Sequence, residues 1–181
     1  YASAFPGIGS LVGAGCGASG DGARESMSGF VSHYTNRLDA KGRVSVPAPF
    51  RQTLSRDGFE GLYCFPSLHQ MAVDAGGHQL VAEIQKRLDG LDTLTEDHDA
   101  LSTALFGASE TLKIDADGRV MLSDMIREHA GVTDQITFVG QGYKFQLWEP
   151  ERFRAHRADA QKRAMSVLSS PRASSGSGGG Q

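Results

Sequence analysis

The sequence predicts an α+β protein built from two copies of one unit of β-strands and a short helix. Three observations support this fold class: a motif that recurs far along the chain, short segments that alternate apolar and polar residues, and two longer segments with apolar residues at helical spacing. The 181 residues allow one compact domain or two small ones. No apolar run approaches the roughly 18 residues of a membrane helix, so an integral membrane protein is excluded.

The recurring motif is the strongest of these signals. Residues 35–44 match residues 111–120 at Thr, Asp, Ala, Gly, Arg and Val, with a constant separation of 76 residues (115 minus 39). Apolar positions continue the match, and an arginine follows at the same separation in both copies: Val46 with Leu122, Phe50 with Ile126, Arg51 with Arg127. Duplication of one ancestral unit explains this agreement better than chance.

Each copy is predicted to begin with a β-hairpin whose turn is formed by Asp and Gly. Asp39 and Asp115 can accept backbone hydrogen bonds from the turn, and Gly42 and Gly118 supply the positive φ that closes it. After the first turn, apolar and polar residues alternate, so that Arg43 is expected on the polar face of the second strand.

A short helix and two more strands complete each copy. The first helix is expected to enter through Pro47 and end near Gly58; the second is expected to start at Ser123 or Asp124 and stop at Gly131. Late strands are predicted at 61–65 in the first copy and at 135–139 and 143–148 in the second. The segment 67–106 is expected to be helical and to link the copies, and 150–168 to form a basic amphipathic helix.

Both ends of the chain have the composition of flexible segments. Met27 is expected to open the folded part; a lipoprotein signal ending at Cys16 is a weaker alternative because no basic region precedes it. The predicted order is a disordered extension (1–26), a first repeat (27–73), a helical linker (74–107), a second repeat (108–153), a C-terminal helix (154–170) and a disordered tail (171–181).

The charge is segregated along the chain. The net charge of -3 argues at first against a nucleic-acid partner. However, residues 27–56 hold five basic residues and one acidic residue, 83–99 hold two and six, and 151–181 hold six and two. A working basic face is therefore compatible with an acidic total. With Cys16 and Cys64 as the only cysteines, and no Cys/His cluster of ligand spacing, neither a metal site nor a cofactor is predicted.

The paired D-x-x-G-R motifs, the first continuing to Pro47 and the second closed by Trp148 and Phe153, resemble the MraZ family of bacterial transcriptional regulators. This resemblance covers roughly residues 30–153. It implies two AbrB-like units of swapped β-hairpins that pack as an internal pseudo-dimer, and a homo-oligomeric ring. It also implies binding to double-stranded DNA at repeated boxes in the promoter of the family's own gene, at the head of the division and cell-wall gene cluster. The expected location is the cytoplasm, associated with the nucleoid.

The candidate DNA-binding residues lie in and beside the two motifs. The resemblance places Arg43 at the position that is critical for promoter contact, and Lys41 is a candidate phosphate contact. Arg37 and Arg119 are weaker candidates. The second copy departs from the first, since it has Asp117 in place of Lys41 and Ser123 in place of Pro47. A negative charge beside Arg119 weakens attraction to phosphate, so the second copy is expected to serve mainly as a scaffold.

Two other functional classes remain as alternatives. Two repeat-related aspartates could form the shared-proton pair of an aspartic protease, but neither is followed by the D-[TS]-G run, so an enzyme and a small-molecule substrate are not expected. A ring-forming interaction module that does not bind DNA is the second alternative, supported by the net charge of -3 and the acidic linker.

Overall fold

The structure, a computed structural model, describes residues 29–169, which form eight strands and five helices. The strands are β1 (His33–Arg37), β2 (Arg43–Ser45), β3 (Leu62–Pro66), β4 (Val73–Gly76), β5 (Glu110–Leu112), β6 (Arg119–Met121), β7 (Gln135–Gly140) and β8 (Phe145–Trp148). The helices are α1 (Ala48–Arg56), α2 (His78–Leu88), α3 (Glu96–Ser102), α4 (Asp124–Ala130) and α5 (Pro150–Ser169), and a π-helical turn (Thr103–Gly107) follows α3.

The strands form two antiparallel sheets that mix the repeats. The larger sheet has the order β1-β7-β8-β4-β3-β5, and the smaller one pairs β2 with β6. Thus β1 of the first repeat pairs with β7 of the second, while β5 of the second pairs with β3 of the first. Each repeat therefore contributes a strand to the other repeat's edge, and the predicted α+β fold with exchanged hairpins in an internal pseudo-dimer is confirmed.

Equivalent residues meet where the two repeats are related by pseudo-twofold symmetry. Val44 lies opposite Val120 in the pairing of β2 with β6. In the pairing of β4 with β8, Asp74 lies opposite Gln146, and the residues on either side pair symmetrically about these two; here the separation is 72 residues (146 minus 74) and not 76. This symmetric pairing supports the duplication inferred from the sequence, because each copy pairs with the other as it would with an identical subunit.

One apolar core lies between the repeats. Val44 and Val120 are each 1% exposed, and Phe50 of α1 and Ile126 of α4 are fully buried beside them. Helix α1 begins directly after Pro47, and α4 begins after Ser123, whose hydroxyl accepts a hydrogen bond from the amide of Ile126; both starts agree with the sequence prediction. Because both repeats supply the same cluster, removing either repeat would expose the apolar side chains of the other.

The segment between the repeats differs from the helical prediction at its beginning. Residues 73–76 form strand β4, which pairs with both β3 and β8. Four residues are too few for their periodicity to distinguish a strand from the start of a helix, and one of the two pairing partners, β8, lies far away in sequence. After Gly77 the chain does become helical, and α2 buries Leu80, Ile84 and Leu88.

The C-terminal helix α5 begins at Pro150, and Phe153 is its one buried residue. The ring of Phe153 lies 6.3 Å from that of Trp148, on which His156 stacks at 4.6 Å. Within 29–169, no helix has the length and apolar character needed to cross a bilayer. The extension 1–26 with Cys16 and the tail 171–181 lie outside the described residues, and the predicted domain limits stay predictions.

Candidate nucleic-acid interface

The first tip, residues 39–43, is a tight turn organised by one carboxylate. Oδ1 of Asp39 accepts hydrogen bonds from the backbone amides of Lys41 and Arg43, each at 2.9 Å. Oδ2 of Asp39 accepts a bond from Nε of Arg43 at 2.8 Å and lies 2.8 Å from its Nη2. Gly42 has a φ of +78°, and its amide donates to the carbonyl of Asp39. The turn holds the base of the Arg43 side chain and leaves Lys41 exposed.

The second tip, residues 115–119, repeats this backbone with a different charge. Oδ1 of Asp115 accepts from the amides of Asp117 (3.0 Å) and Arg119 (2.8 Å), and Gly118 has a φ of +76°. Arg119 donates from Nε to Asp115 at 3.3 Å, and its Nη2 forms a short ion pair with Asp117. Arg119 therefore faces two carboxylates, whereas its counterpart Arg43 faces one. The sequence predicts this difference in charge between the tips, because Asp117 in the second repeat replaces Lys41 of the first.

The hydrogen bonds of both tips favour the charged carboxylate. The backbone hydrogen bond from Arg43 is the main cause that lowers the pKa of Asp39 below its usual value of 3.8, and the backbone bond from Arg119 does the same for Asp115. In a shared-proton pair, one carboxyl has a raised pKa. Two lowered pKa values in two separate turns therefore argue against the aspartic-protease alternative.

These pKa shifts predict how acid weakens the fold. A carboxylate with a lowered folded-state pKa stabilises the protein above its unfolded pKa, and that contribution is lost as the pH falls through the folded pKa. We expect a variant with both Asp39→Asn and Asp115→Asn to melt below wild type at neutral pH, and the gap to close as the pH drops below 3.8. Thermal unfolding across this pH range measures the gap. Asp159→Asn on the exposed helix α5 is the matched control, and a gap independent of pH would contradict the assignment.

Each tip is anchored to the opposite repeat. The amide of Val46 donates to the carbonyl of Gly118 at 2.9 Å, and that of Leu122 donates to the carbonyl of Gly42 at 3.2 Å. These crossed bonds join the start of each short helix to the other repeat's turn. The two tips are consequently held at fixed positions by the fold.

The pair β2 and β6, which we call the ribbon, presents one face to solvent. Val44 and Val120 point into the core, so the neighbouring positions on both strands lie on the outer face. On that face Arg43 lies opposite Met121, and Ser45 lies opposite Arg119. Met121 is half exposed. A two-stranded antiparallel ribbon with arginine, serine and an apolar side chain on its outer face offers the groups that read base edges.

Other cations surround the tips. Arg37 ends β1, is exposed, and takes part in none of the ion pairs found in residues 29–169. Its counterpart in the second repeat, 76 residues later, is the exposed Lys113. The sequence interpretation missed Lys113, although the repeat separation that identified Arg119 also leads to it. Two further arginines, Arg51 of α1 and Arg127 of α4, extend their guanidinium groups to the opposite tips.

Among the described residues, no three His, Cys, Asp or Glu side chains gather in a way that could hold a metal ion. Cys64 is a free, buried thiol in the core, and its burial raises its pKa to about 12. The site consists of the ribbon and its two tips, without a catalytic constellation.

Fold and site together define a class: a protein of two repeats that exchange β-hairpins and expose a ribbon with an arginine-bearing tip at each end. A family model described as "MraZ protein, putative antitoxin-like" matches residues 105–168. Relatives named "Transcriptional regulator MraZ" occur in Methylocella silvestris (58% identical, covering 76% of this chain and 84% of the relative) and in Azorhizobium caulinodans (50% identical, covering 85% and 96%). A relative of the same name in Rickettsia bellii is 38% identical and covers 76% and 93%.

The chain belongs to the MraZ family, as the resemblance of its paired motifs indicated. The shared name of these relatives describes regulators rather than enzymes, which agrees with the expectation that the chain is not an enzyme.

Proposed function

We propose that this protein is a sequence-specific DNA-binding transcriptional regulator. It acts on repeated boxes in its own promoter, at the head of the division and cell-wall gene cluster, and works in the cytoplasm in association with the nucleoid. The observation that carries the proposal is the exposed ribbon with Arg43 and Lys41 at its first tip. The names of the relatives support a regulatory role.

The shape of the ribbon suits the major groove of B-DNA. That groove, about 12 Å wide, admits a two-stranded β-ribbon. Arg43 keeps Asp39 on one side of its guanidinium, which leaves the remaining N–H groups to form a bidentate contact with guanine or to bind a phosphate. Lys41 lies in the turn and Arg37 lies at the end of β1 just before it, where the two side chains can neutralise the flanking phosphates.

The first tip is the principal contact because of its charge. Arg119 is engaged by both Asp115 and Asp117, so a phosphate that approached the second tip would meet two carboxylates as well as the arginine. The first tip presents Lys41 at the position of Asp117. Asp39 is its one nearby carboxylate in the motif, and that carboxylate is already paired with Arg43.

This asymmetry predicts a gain of function. Asp117→Lys gives the second tip the charge pattern of the first and removes the ion pair between Asp117 and Arg119. DNA affinity should therefore rise several-fold. The log–log slope of affinity against salt concentration should steepen by at least about 0.9 for each engaged subunit. Fluorescence anisotropy titrations at several salt concentrations measure both quantities. Asp97→Lys on the acidic helix α3 makes the same change of charge outside the ribbon and its tips. An equal gain in both variants would show a general charge effect instead.

We further propose that subunits assemble into a ring and bind several boxes at once. One ribbon makes few contacts, so a single subunit should bind weakly, and linking subunits raises the effective concentration at each further box. The mass of the assembly, measured by light scattering, should be a multiple of 19.3 kDa. Affinity should rise more than additively as boxes are added to one duplex.

The experiment that tests the proposal is a titration of wild-type protein against its own upstream region and against the same duplex with scrambled boxes. Specific binding should be tighter by about 10³-fold or more at moderate salt and should weaken steeply as salt is added. The second candidate function, a ring-forming interaction module that does not bind DNA, is supported by the acidic stretch 83–99. No shift with either duplex at low salt would favour that module.

A further inference from the structure

We propose that Arg51 and Lys113 form a second DNA-phosphate contact, built across the two repeats beside the second tip. The inference rests on the proposed DNA-binding function and assigns to it residues outside the D-x-x-G-R motifs. Arg51 belongs to helix α1 of the first repeat, whereas Lys113 follows β5 of the second. The strand exchange brings these two cations to the same cleft.

The position of Arg51 is shown by its contact with the opposite turn. A Cβ built on Gly118 would lie 2.6 Å from Cζ of Arg51 and 2.9 Å from its Cδ. The guanidinium group therefore lies directly against the backbone of the second tip, although Arg51 is 67 residues away in sequence (118 minus 51). Arg51 is exposed, and none of the hydrogen bonds or ion pairs found in residues 29–169 involves its side chain.

Arg51 and Lys113 both line a cleft of about 450 Å³ between α1, the loop that follows it, and the two residues Lys113 and Ile114 that precede the second tip. Lys113 is also exposed and without an ion pair among the described residues. Glu60 is the one carboxylate in the lining of this cleft. The excess of positive charge fits a phosphate of the DNA backbone, which one arginine and one lysine can neutralise.

The equivalent residue of the second repeat is arranged differently, and the contrast supports the inference. Arg127 approaches the first tip, where its Nη1 would lie 3.7 Å from a Cβ built on Gly42. It is paired with Asp124 through a short ion pair. The first repeat has Ala48 at the position of Asp124, so Arg51 has no such partner. Arg127 is thus neutralised beside the first tip, whereas Arg51 is left unpaired beside the second.

The two tips therefore hold unpaired cations in different places. At the first tip the cation is Lys41 within the motif, accompanied by Arg37. At the second tip Arg119 is neutralised by Asp117, and Arg51 and Lys113 supply the positive charge from outside the motif. The second repeat acts in this account as a phosphate clamp that positions the first tip, and it does not read bases itself.

The test compares Arg51→Ala and Lys113→Ala with wild type in salt-dependent titrations on the promoter boxes. Each variant should lose DNA affinity several-fold, and its log–log salt slope should be shallower by about 0.9 per engaged subunit. The loss of affinity should be equal on intact and scrambled boxes, because a phosphate contact carries no sequence information. Arg56→Ala is the matched control, since it removes an exposed arginine from the same helix but outside the cleft. Thermal unfolding of every variant shows whether a loss of binding follows from a loss of folding.

A scan with single methylphosphonate linkages, which remove one backbone charge at a time, locates the contact. At one linkage per box, wild type should lose affinity while Arg51→Ala and Lys113→Ala lose none. The inference would be overturned if both variants kept the affinity and salt slope of wild type, or if they were as sensitive as wild type to the methylphosphonate at every linkage. Either result would leave the proposed function intact. Failure of the wild-type protein to bind would instead reject the proposed function.

Discussion

Arg43→Ala should remove most of the specific DNA affinity without unfolding the protein. A bidentate contact between arginine and guanine contributes about 1–3 kcal/mol of discrimination, roughly one to two factors of ten for each subunit. In a ring that engages several boxes, this loss recurs at each box, so binding at moderate salt should fall below detection. Gel-shift titration of wild type and variant on the upstream region measures the loss.

Arg119→Ala is the informative comparison for this prediction. It removes the repeat-related arginine, which is already paired with two carboxylates, and we expect it to reduce affinity much less. Arg43→Lys should retain part of the salt dependence and lose the discrimination between intact and scrambled boxes, because a lysine supplies charge without the planar fork. Equal binding by Arg43→Ala and wild type would refute the assignment of Arg43.

Phe50→Ala should produce the largest loss of stability, about 3–5 kcal/mol of the free energy of unfolding. Phe50 is fully buried at the centre of the shared core, and its ring centroid lies 5.0 Å from that of Phe145 and 5.3 Å from that of Phe30. The rings of Tyr34 and Phe138 complete its surroundings, at 5.5 and 6.3 Å. These neighbours come from both repeats, so a cavity here weakens the packing between them.

Urea unfolding followed by the fluorescence of Trp148 and by circular dichroism measures this change. Phe50→Leu retains much of the apolar volume and should cost considerably less than Phe50→Ala. A single cooperative transition is expected in wild type, because the repeats share one core. Two separate transitions would show that each repeat folds on its own and would contradict the shared-core account.

Much of the local structure could be predicted because it depends on residues close together in sequence. The Asp-to-amide bonds and the positive φ at Gly42 and Gly118 arise within five-residue turns, and both tips form where the motif places them. The stop at Gly131 is equally local: its φ of +70° ends α4 at the predicted residue. The difference in charge between the tips is also local, because Asp117, which replaces Lys41 of the first repeat, pairs with Arg119 two residues later.

Long-range features could not be read from local patterns. Periodicity showed strands but not their partners, and the exchange of β1 and β5 between repeats was indicated by the family resemblance alone. The same limit explains the error at β4, whose strand character depends on pairing with β8 far along the chain. Arg51 was missed as a candidate contact because only the folded chain brings α1 against Gly118.

The net charge of -3 gives little guidance to function in this fold. The pairing of β2 with β6 brings Arg43 and Arg119, from two distant segments, onto the outer face of the ribbon. The acidic stretch 83–99 belongs to α2, α3 and the loop that joins them, outside the ribbon and the lining of its cleft. A ring would multiply the small basic surface, because every subunit presents one ribbon.

We propose that the charge arrangement at the first tip, and not merely the presence of Arg43, enables DNA binding. Lys41→Asp tests it directly, because this substitution gives the first tip the charge pattern of the second and leaves Arg43 in place. The new carboxylate should pair with Arg43 as Asp117 pairs with Arg119. In a titration on the promoter boxes, Lys41→Asp should lose nearly as much affinity as Arg43→Ala, with an unchanged melting temperature. Wild-type affinity in this variant would contradict the account.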